Sequence, residues 1–425
     1  MKSIGNYFVE KTGDGISLKE NTVTGKNFRF TVLTERLIRL EYNNSGVFED
    51  RPTQRVIFRK FPKVEFLNGQ TEMLLQLTTS YFVLDYVMGK PFGNGKFGSG
   101  NNLKITLKNT DRVWYYGHPQ ARNFGGITYS LDHFAGSLKL EKGFYSTDGF
   151  CVLDDSDSLV LDNNGNFVVR ENQGVDLYVF MYRKDFGLCL QDYYTLTGYP
   201  MMIPRYALGN WWYKNKKYKT EELQLLLRQF NDYKVPISTV LLGSDWHIEG
   251  DPFVFDESNF NVQELRQLFN HYQMQLGITV TPNLMVKVGT DTYQTIANGF
   301  QNLEGKDFSF LPLDNQKLNY YSTYGINNWL SLGVDTFYID YNNSNDKTTN
   351  NNVNGNTNNN TNNETQEPND NSNNNIDGNT EKTKETATID DIIYPMYLPV
   401  NTYLTGQERV ATDNGERLIL TFTGD

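Results

Sequence analysis

The sequence predicts an antiparallel β-sandwich over residues 1–200, followed by a (β/α)8 barrel over residues 201–425. Three observations carry this expectation. Short apolar runs with period-two alternation, separated by Asn- and Gly-rich turns, fill the first half of the chain. After Pro204 the rhythm changes, and apolar strands alternate with helical stretches, as a parallel sheet requires. Three apolar runs of the second half end in a carboxylate, at Asp245, Asp340 and Asp425. Barrel enzymes place their reactive side chains at the C-terminal ends of strands.

In the first half, Phe28, Phe30 and Val32 alternate with polar neighbours. Further strand-like runs follow at Arg36–Tyr42, Arg55–Phe61, Glu72–Leu77, Tyr81–Asp85, Leu103–Leu107 and Leu177–Met181. Turn pairs such as Asn68-Gly69 and Asn163-Asn164-Gly165 separate them. The boundary is expected near Pro200–Pro204. Beyond it, Arg205–Tyr213 reads as a buried strand. Thr220 is placed to cap a helix with Glu221 and Glu222 in its first turn and Leu223, Leu226, Leu227 and Phe230 on one face. Pro236–Asp245 is a second strand. Asn261 and Glu264 have capping-box spacing ahead of Leu265, Leu268, Phe269 and Tyr272. Gly277–Asn283 is a third strand, and a helix over 315–332 leads to Val334, Phe337 and Ile339, the strand that ends in Asp340.

Residues 342–386 break the pattern with a tract of Asn and Thr that lacks the apolar surface to offset its ordering entropy, so disorder is expected there. Beyond it a helix at Ile389–Leu398, a polar strand at Gln407–Asp413 and an apolar strand at Leu418–Phe422 are expected, before Thr423-Gly424-Asp425 ends the sequence.

Composition excludes several classes. A net charge of −11 makes nucleic acid and anionic membrane surfaces poor partners. Two cysteines, Cys151 and Cys189, supply neither a disulfide framework nor a cysteine-rich zinc site, and suit a reducing compartment. The four histidines lack metal-ligand spacing, and no dinucleotide or phosphate-loop pattern follows a strand, so no metal or cofactor is expected. The first residues lack a signal-peptide core and no apolar run reaches membrane-spanning length, so a cytoplasmic protein is expected. Aromatic residues, at 14%, pack cores and also form platforms for sugar rings.

From position alone each of the three Asp residues also fits a turn or helix cap. Gathered at one barrel rim, two of them would meet the requirement of glycoside hydrolysis, a nucleophilic carboxylate facing a protonated one.

The motifs around them resemble glycoside hydrolase family 31, the α-glucosidases and α-xylosidases. Phe28–Tyr42 (FRFTVLTERLIRLEY) with Gly46-Val-Phe-Glu-Asp50 is similar to the start of that family's N-terminal sandwich. Pro204–Trp212 (PRYALGNWW) is similar to its entry into the barrel, and Ser244-Asp245-Trp246-His247 to its second-strand motif. Gly333–Asp340 (GVDTFYID) resembles the nucleophile strand. Arg409, sixteen residues before Asp425, resembles the substrate-binding Arg that precedes the acid/base. The resemblance implies double displacement with retention: Asp340 as nucleophile, Asp425 as acid/base, Asp245 and Arg409 on sugar hydroxyls, and Trp246 walling the pocket or packing in the core. Asp132 would lie on a sandwich loop sent toward the pocket, and an oligosaccharide or α-glucoside would be the substrate.

Three departures stand out: Tyr338 in place of the usual Trp, the segment VATDNGE between Arg409 and Arg417, and the end of the sequence at the acid/base motif. The family's barrel continues for two more strands and a sugar-contacting histidine, so the resemblance implies an incomplete barrel and a truncated product or fragment. An α-glucosidase is therefore the first expectation. An inactive carbohydrate-binding remnant is the second, and an α-xylosidase or transglycosylase is the alternative within the class.

Overall fold

The computed structural model describes residues 12–93, 100–126, 140, 142–199, 203–214, 216–281, 285–300, 305–310, 315–339 and 420–423. Among the described residues twelve strands precede residue 200: β1 (Thr22–Thr24), β2 (Phe28–Thr34), β3 (Leu37–Tyr42), β4 (Leu67–Gln70), β5 (Leu74–Thr78), β6 (Phe82–Val87), β7 (Leu103–Leu107), β8 (Val113–Tyr115), β9 (Cys151–Asp154), β10 (Val160–Leu161), β11 (Phe167–Val168) and β12 (Val175–Phe180). They form two five-stranded antiparallel sheets, ordered β1-β2-β3-β12-β9 and β4-β5-β6-β7-β8, and the small pair β10-β11. Alternation explains the pairing. In β6 and β7 every second residue is buried, and Phe82, Leu84, Tyr86, Leu103 and Ile105 meet Phe30, Val32, Ile38, Leu40 and Val179 in one apolar core between the sheets.

Strand β3 is buried on both faces, and its second face is ionic. Arg39 and Glu41 sit opposite Tyr178 and Asp176 of β12. Arg39 donates to both Asp176 oxygens at 2.8 and 2.7 Å, and Arg29 to both Glu41 oxygens at 2.6 and 2.9 Å. Arg170 reaches Asp176 at 3.0 Å and Asp155 at 3.3 Å. Arg59 donates to the Tyr178 hydroxyl at 2.6 Å. Burial pushes the Asp176 carboxyl up, but Arg39 and the neighbouring guanidiniums outweigh it and hold this group well below the usual carboxylate range. Glu41 and Asp155 go the other way, raised by burial first.

This network accounts for a difference from expectation. Arg55–Phe61 is an irregular strap across the ionic face, not a strand. The Ile57 and Phe58 amides donate to the Leu196 carbonyl at 3.1 and 2.9 Å, leaving no ladder to join. A helix at Phe186–Thr197 was not expected either. The sequence reading expects only strands before residue 200, but Cys189, Tyr193 and Leu196 pack on Tyr178 and Phe180 and that tertiary contact decides the conformation.

In the second half, β13 (Trp211–Lys214), β14 (Thr239–Leu242), β17 (Gln275–Val280), β20 (Val334–Ile339) and β21 (Leu420–Thr423) are parallel neighbours in that order. Helices at Thr220–Asp232 and Val262–Tyr272 cover the sheet, and their Leu223, Leu227, Leu265 and Phe269 pack with Val240, Leu242, Ile278 and Phe337. Between the barrel strands lie two antiparallel pairs, β15 (His247–Ile248) with β16 (Asp251–Phe255), and β18 (Met285–Val286) with β19 (Phe308–Ser309). Arg205–Leu208 is a 3-10 turn, not the start of a strand, because Pro204 opens it and β13 begins only at Trp211. The 315–332 helix is split: Tyr321–Ile326 forms a π-helical turn between two short α-helices. There Gly325 lies so close to Phe253 that a Cβ would sit 2.8 Å from its ring. The expected helix at Ile389–Leu398, the strand at Gln407–Asp413 and the Asn-rich tract lie outside the described residues. Among the described residues no helix is long and apolar enough to cross a membrane.

Asp176, depressed below the ordinary Asp value of about 3.9, contributes stability that is present above that pH and lost as pH falls through its folded value. Asp176→Asn removes the bidentate partner of buried Arg39, which keeps Glu41 at 3.1 Å, and is expected to cost about 2–3 kcal/mol, the worth of lost charged hydrogen bonds, in urea unfolding at neutral pH. That difference should shrink in acid, where the native carboxyl protonates. A loss below about 1 kcal/mol would place the pair with ordinary surface ion pairs.

Candidate active site

The barrel strands run in register, and this aligns their C-terminal ends. Leu242 of β14 pairs with Ile278 of β17, Val280 with Ile339 of β20, and Ile339 with Thr423 of β21. Side chains alternate between two environments along each strand. Val240, Leu242, Leu276, Ile278, Val280, Phe337 and Ile339 belong to the core shared with the helices. Leu241, Gly277 and Thr336 occupy the opposite face, where a Cβ on Gly277 would stand 2.9 Å from Leu241 and 3.3 Å from Thr336. That inner face also carries Thr239 and Thr279, both buried. It is closed from below by Tyr206, whose hydroxyl donates to the Asp335 carbonyl at 3.2 Å and accepts from Thr336 at 3.4 Å.

At the rim, β14 passes through Gly243 into a 3-10 turn, Ser244–Trp246. The turn sends its two functional candidates in opposite directions. Asp245 is exposed. Trp246 is 2% exposed, donates its Nε1 to the Thr279 carbonyl at 2.8 Å, and meets Trp329 edge-on at 5.5 Å and Phe255 at 4.7 Å. Trp329 in turn stacks on Phe253 and donates to the Phe253 carbonyl at 3.1 Å. Trp246 thus nails the Asp245 turn to β17 and to the helix ahead of β20.

A charged clamp holds the same turn from outside, and it was not anticipated from the sequence. The Asp256 amide donates to the Trp246 carbonyl at 3.0 Å. Its carboxylate accepts from the Ser258 amide and hydroxyl, from Asn259, and from Lys217 at 2.9 Å. The Ser258 hydrogen bond, then Lys217, hold this carboxyl well below the usual range. Asp256 raises the Lys217 ammonium above its ordinary value, with smaller contributions from Asp245 and Glu249. Glu249 is bridged to Lys287 at 3.1 Å. The signal that was available is Asp256-Glu-Ser258-Asn259, a turn sequence whose Asp side chain accepts from the backbone two residues on.

Helix starts also differ in detail. Lys219, not Thr220, caps the first barrel helix, with Glu222 accepting its amide at 3.1 Å. Thr220 accepts instead from the Asn261 amide at 2.8 Å. Asn261 caps the next helix as expected, accepting from the Glu264 amide at 3.2 Å.

Of the residues named from the sequence, the structure describes Asp245 and Trp246. Asp340, Asp425, Arg409 and Asp132 lie outside the described residues. Asp340 follows Ile339 directly, and Asp425 comes two residues after Thr423. Among the described residues no group of His, Cys, Asp and Glu has the arrangement of a metal site.

Comparison with known proteins agrees with this architecture. An α-xylosidase of Saccharolobus solfataricus is 23% identical over 267 residues, which span 56% of this chain and 34% of that protein. A family 31 dextranase of Flavobacterium johnsoniae, solved with isomaltotriose, superposes with a TM-score of 0.58 at 12% identity over 95% of this chain and 53% of that one. A family 31 α-xylosidase of Xanthomonas citri gives 0.54 at 12% identity over 96% and 64%. The chain therefore spans between a third and two thirds of the length of these relatives. The model of the glycosyl hydrolases family 31 TIM-barrel domain matches residues 200–421, and the chain belongs to glycoside hydrolase family 31.

Proposed function

We propose that the protein is a retaining α-glycosidase, in the first instance an α-glucosidase that releases terminal α-linked glucose from oligosaccharides. The observation that carries this reading is the register of β20 against β21. Ile339 and Thr423 are partners, and the two candidate carboxylates follow them by one and two residues. Retaining glycosidases need their two carboxyl groups about 5–5.5 Å apart, and the two candidates follow the ends of neighbouring parallel strands. In this reading Asp340 attacks the anomeric carbon while Asp425 protonates the leaving oxygen. Asp425 then takes a proton from water as it displaces Asp340, returning the original anomeric configuration. Arg409 and the exposed Asp245 hold sugar hydroxyls. The burial of Trp246 favours a supporting role behind Asp245 over a wall of the pocket. Asp132 is assigned a minor contact from the sandwich side.

A second reading, an α-xylosidase, is favoured by the Saccharolobus relative, which is one. Xylose lacks the hydroxymethyl group of glucose, so the ratio of kcat/KM for aryl α-glucoside and aryl α-xyloside in the natural full-length protein separates the two. A ratio above one supports the glucosidase. A transglycosylase would show itself by longer oligosaccharide products in place of free sugar.

Asp340→Ala is expected to lower turnover of the preferred aryl glycoside by roughly 10^4-fold or more. Unchanged turnover would remove Asp340 from the mechanism, and sugar binding without turnover in the native protein would make it a carbohydrate-binding remnant. Asp245→Asn should cost roughly ten- to hundredfold in kcat/KM, the worth of a charged hydrogen bond, with the melting temperature unchanged because Asp245 is exposed. Trp246→Ala should instead lose about 3–5 kcal/mol of stability by denaturant titration. Equal destabilisation by both changes would mean that Asp245 is structural.

A further inference from the structure

Cys151 and Cys189 are the only cysteines of the chain, and the fold brings them together. Cys151 begins β9 at the edge of the first sheet, opposite Phe180 of β12. Cys189 lies in the first turn of the helix Phe186–Thr197. Both are buried, at 4% and 3% exposure, in one apolar cluster. Both line the same small cavity, with Phe144, Tyr145, Phe180 and Phe186 around them. Cys189 is the ionisable neighbour that acts on the Cys151 thiol. Isolated buried cysteines only pack, but a pair facing across a joint between sheet and helix holds two electrons that a disulfide can accept.

We propose that Cys151 and Cys189 are a covalent modification site, a dithiol that small-molecule disulfides convert reversibly to a cystine bridge between β9 and the helix. Access is through the helix start. Its first turn contains Gly187, a poor helix former, and has no side-chain cap, so this turn opens at low cost and presents Cys189. The Cys189 thiolate attacks one sulfur of oxidised glutathione, forming a mixed disulfide and releasing one glutathione, which takes up the proton. Cys151 then attacks the Cys189 sulfur, the protein disulfide forms, and the second glutathione leaves with the Cys151 proton. Two thiols are oxidised and one small disulfide is reduced to two thiols. Burial, with the Cys189 thiol beside it, pushes the Cys151 thiol well above its ordinary value. The bridge closes a loop containing Asp155, Arg170 and Asp176, and so constrains the ionic network in the unfolded chain as well.

The test is intact mass. The full chain is equilibrated with oxidised glutathione, quenched in acid, denatured and treated with N-ethylmaleimide. The expected product carries no maleimide and is about 2 Da lighter than the reduced protein, with a melting temperature several degrees higher that dithiothreitol reverses. Cys151→Ser should stop at a glutathione adduct on Cys189, and the double variant Cys151→Ser/Cys189→Ser should show no redox-dependent melting shift. Two maleimides on the equilibrated native chain, persistent glutathione adducts on both cysteines, or a disulfide-linked dimer would each overturn the proposal.

Discussion

The parallel, in-register ladder of β13, β14, β17, β20 and β21 is the constraint on which the rest of the second half depends. Because each strand starts and ends beside its neighbour, every loop that follows a strand emerges at one edge. Because side chains alternate, one face is committed to the helices and fills with Val, Leu, Ile and Phe, while the other carries Thr239, Gly277, Thr279 and Thr336. The sheet thereby separates packing from chemistry. Helix packing can be conserved in shape while the inner face and the rim hold polar groups. The β20 bulge, which places Val334 opposite Leu276 and Thr336 opposite Gly277, admits Asp335 between them. Tyr206 secures that irregular point from below.

The rim is held by two unlike means. From inside, Trp246, Trp329 and Phe253 form a dry aromatic stack with two indole hydrogen bonds to backbone carbonyls. From outside, Asp256 gathers a backbone amide, two turn side chains and Lys217. The first is insensitive to salt and the second is partly exposed and screened. Asp245 rides on a short turn fixed at both flanks, so its position is set by neighbours while its side chain is exposed.

The sandwich solves a different problem. Its first sheet is covered on both faces, and the outer covering is not a second sheet but the helix Phe186–Thr197 together with loops bearing Arg59, Asp155 and Arg170. Charges buried on β3 and β12 need partners from those loops, and the bidentate Arg39–Asp176 pair sits at the centre. Arg170 and Glu41 complete the network around that pair, and the strap at 55–61 contributes Arg59 to it while its backbone bonds the Leu196 carbonyl.

Local patterns determined much of this protein. Period-two alternation located β2, β3, β5, β6, β7 and β12 to within a few residues, and the apolar runs before Asp245 and Asp340 located β14 and β20. Capping chemistry at Asn261 and Glu264 located a helix start. These are readable because they depend on neighbours in the chain. The helix at Phe186–Thr197, the strap at 55–61 and the π-helical turn at Tyr321–Ile326 were decided by contacts with distant residues, which override weak local preference. The same holds for the site. That Asp245 follows the end of an apolar strand was legible in the sequence, but that Trp246 turns inward, that Asp256 and Lys217 brace it, and that the two cysteines meet is decided only when strands far apart in sequence are laid side by side.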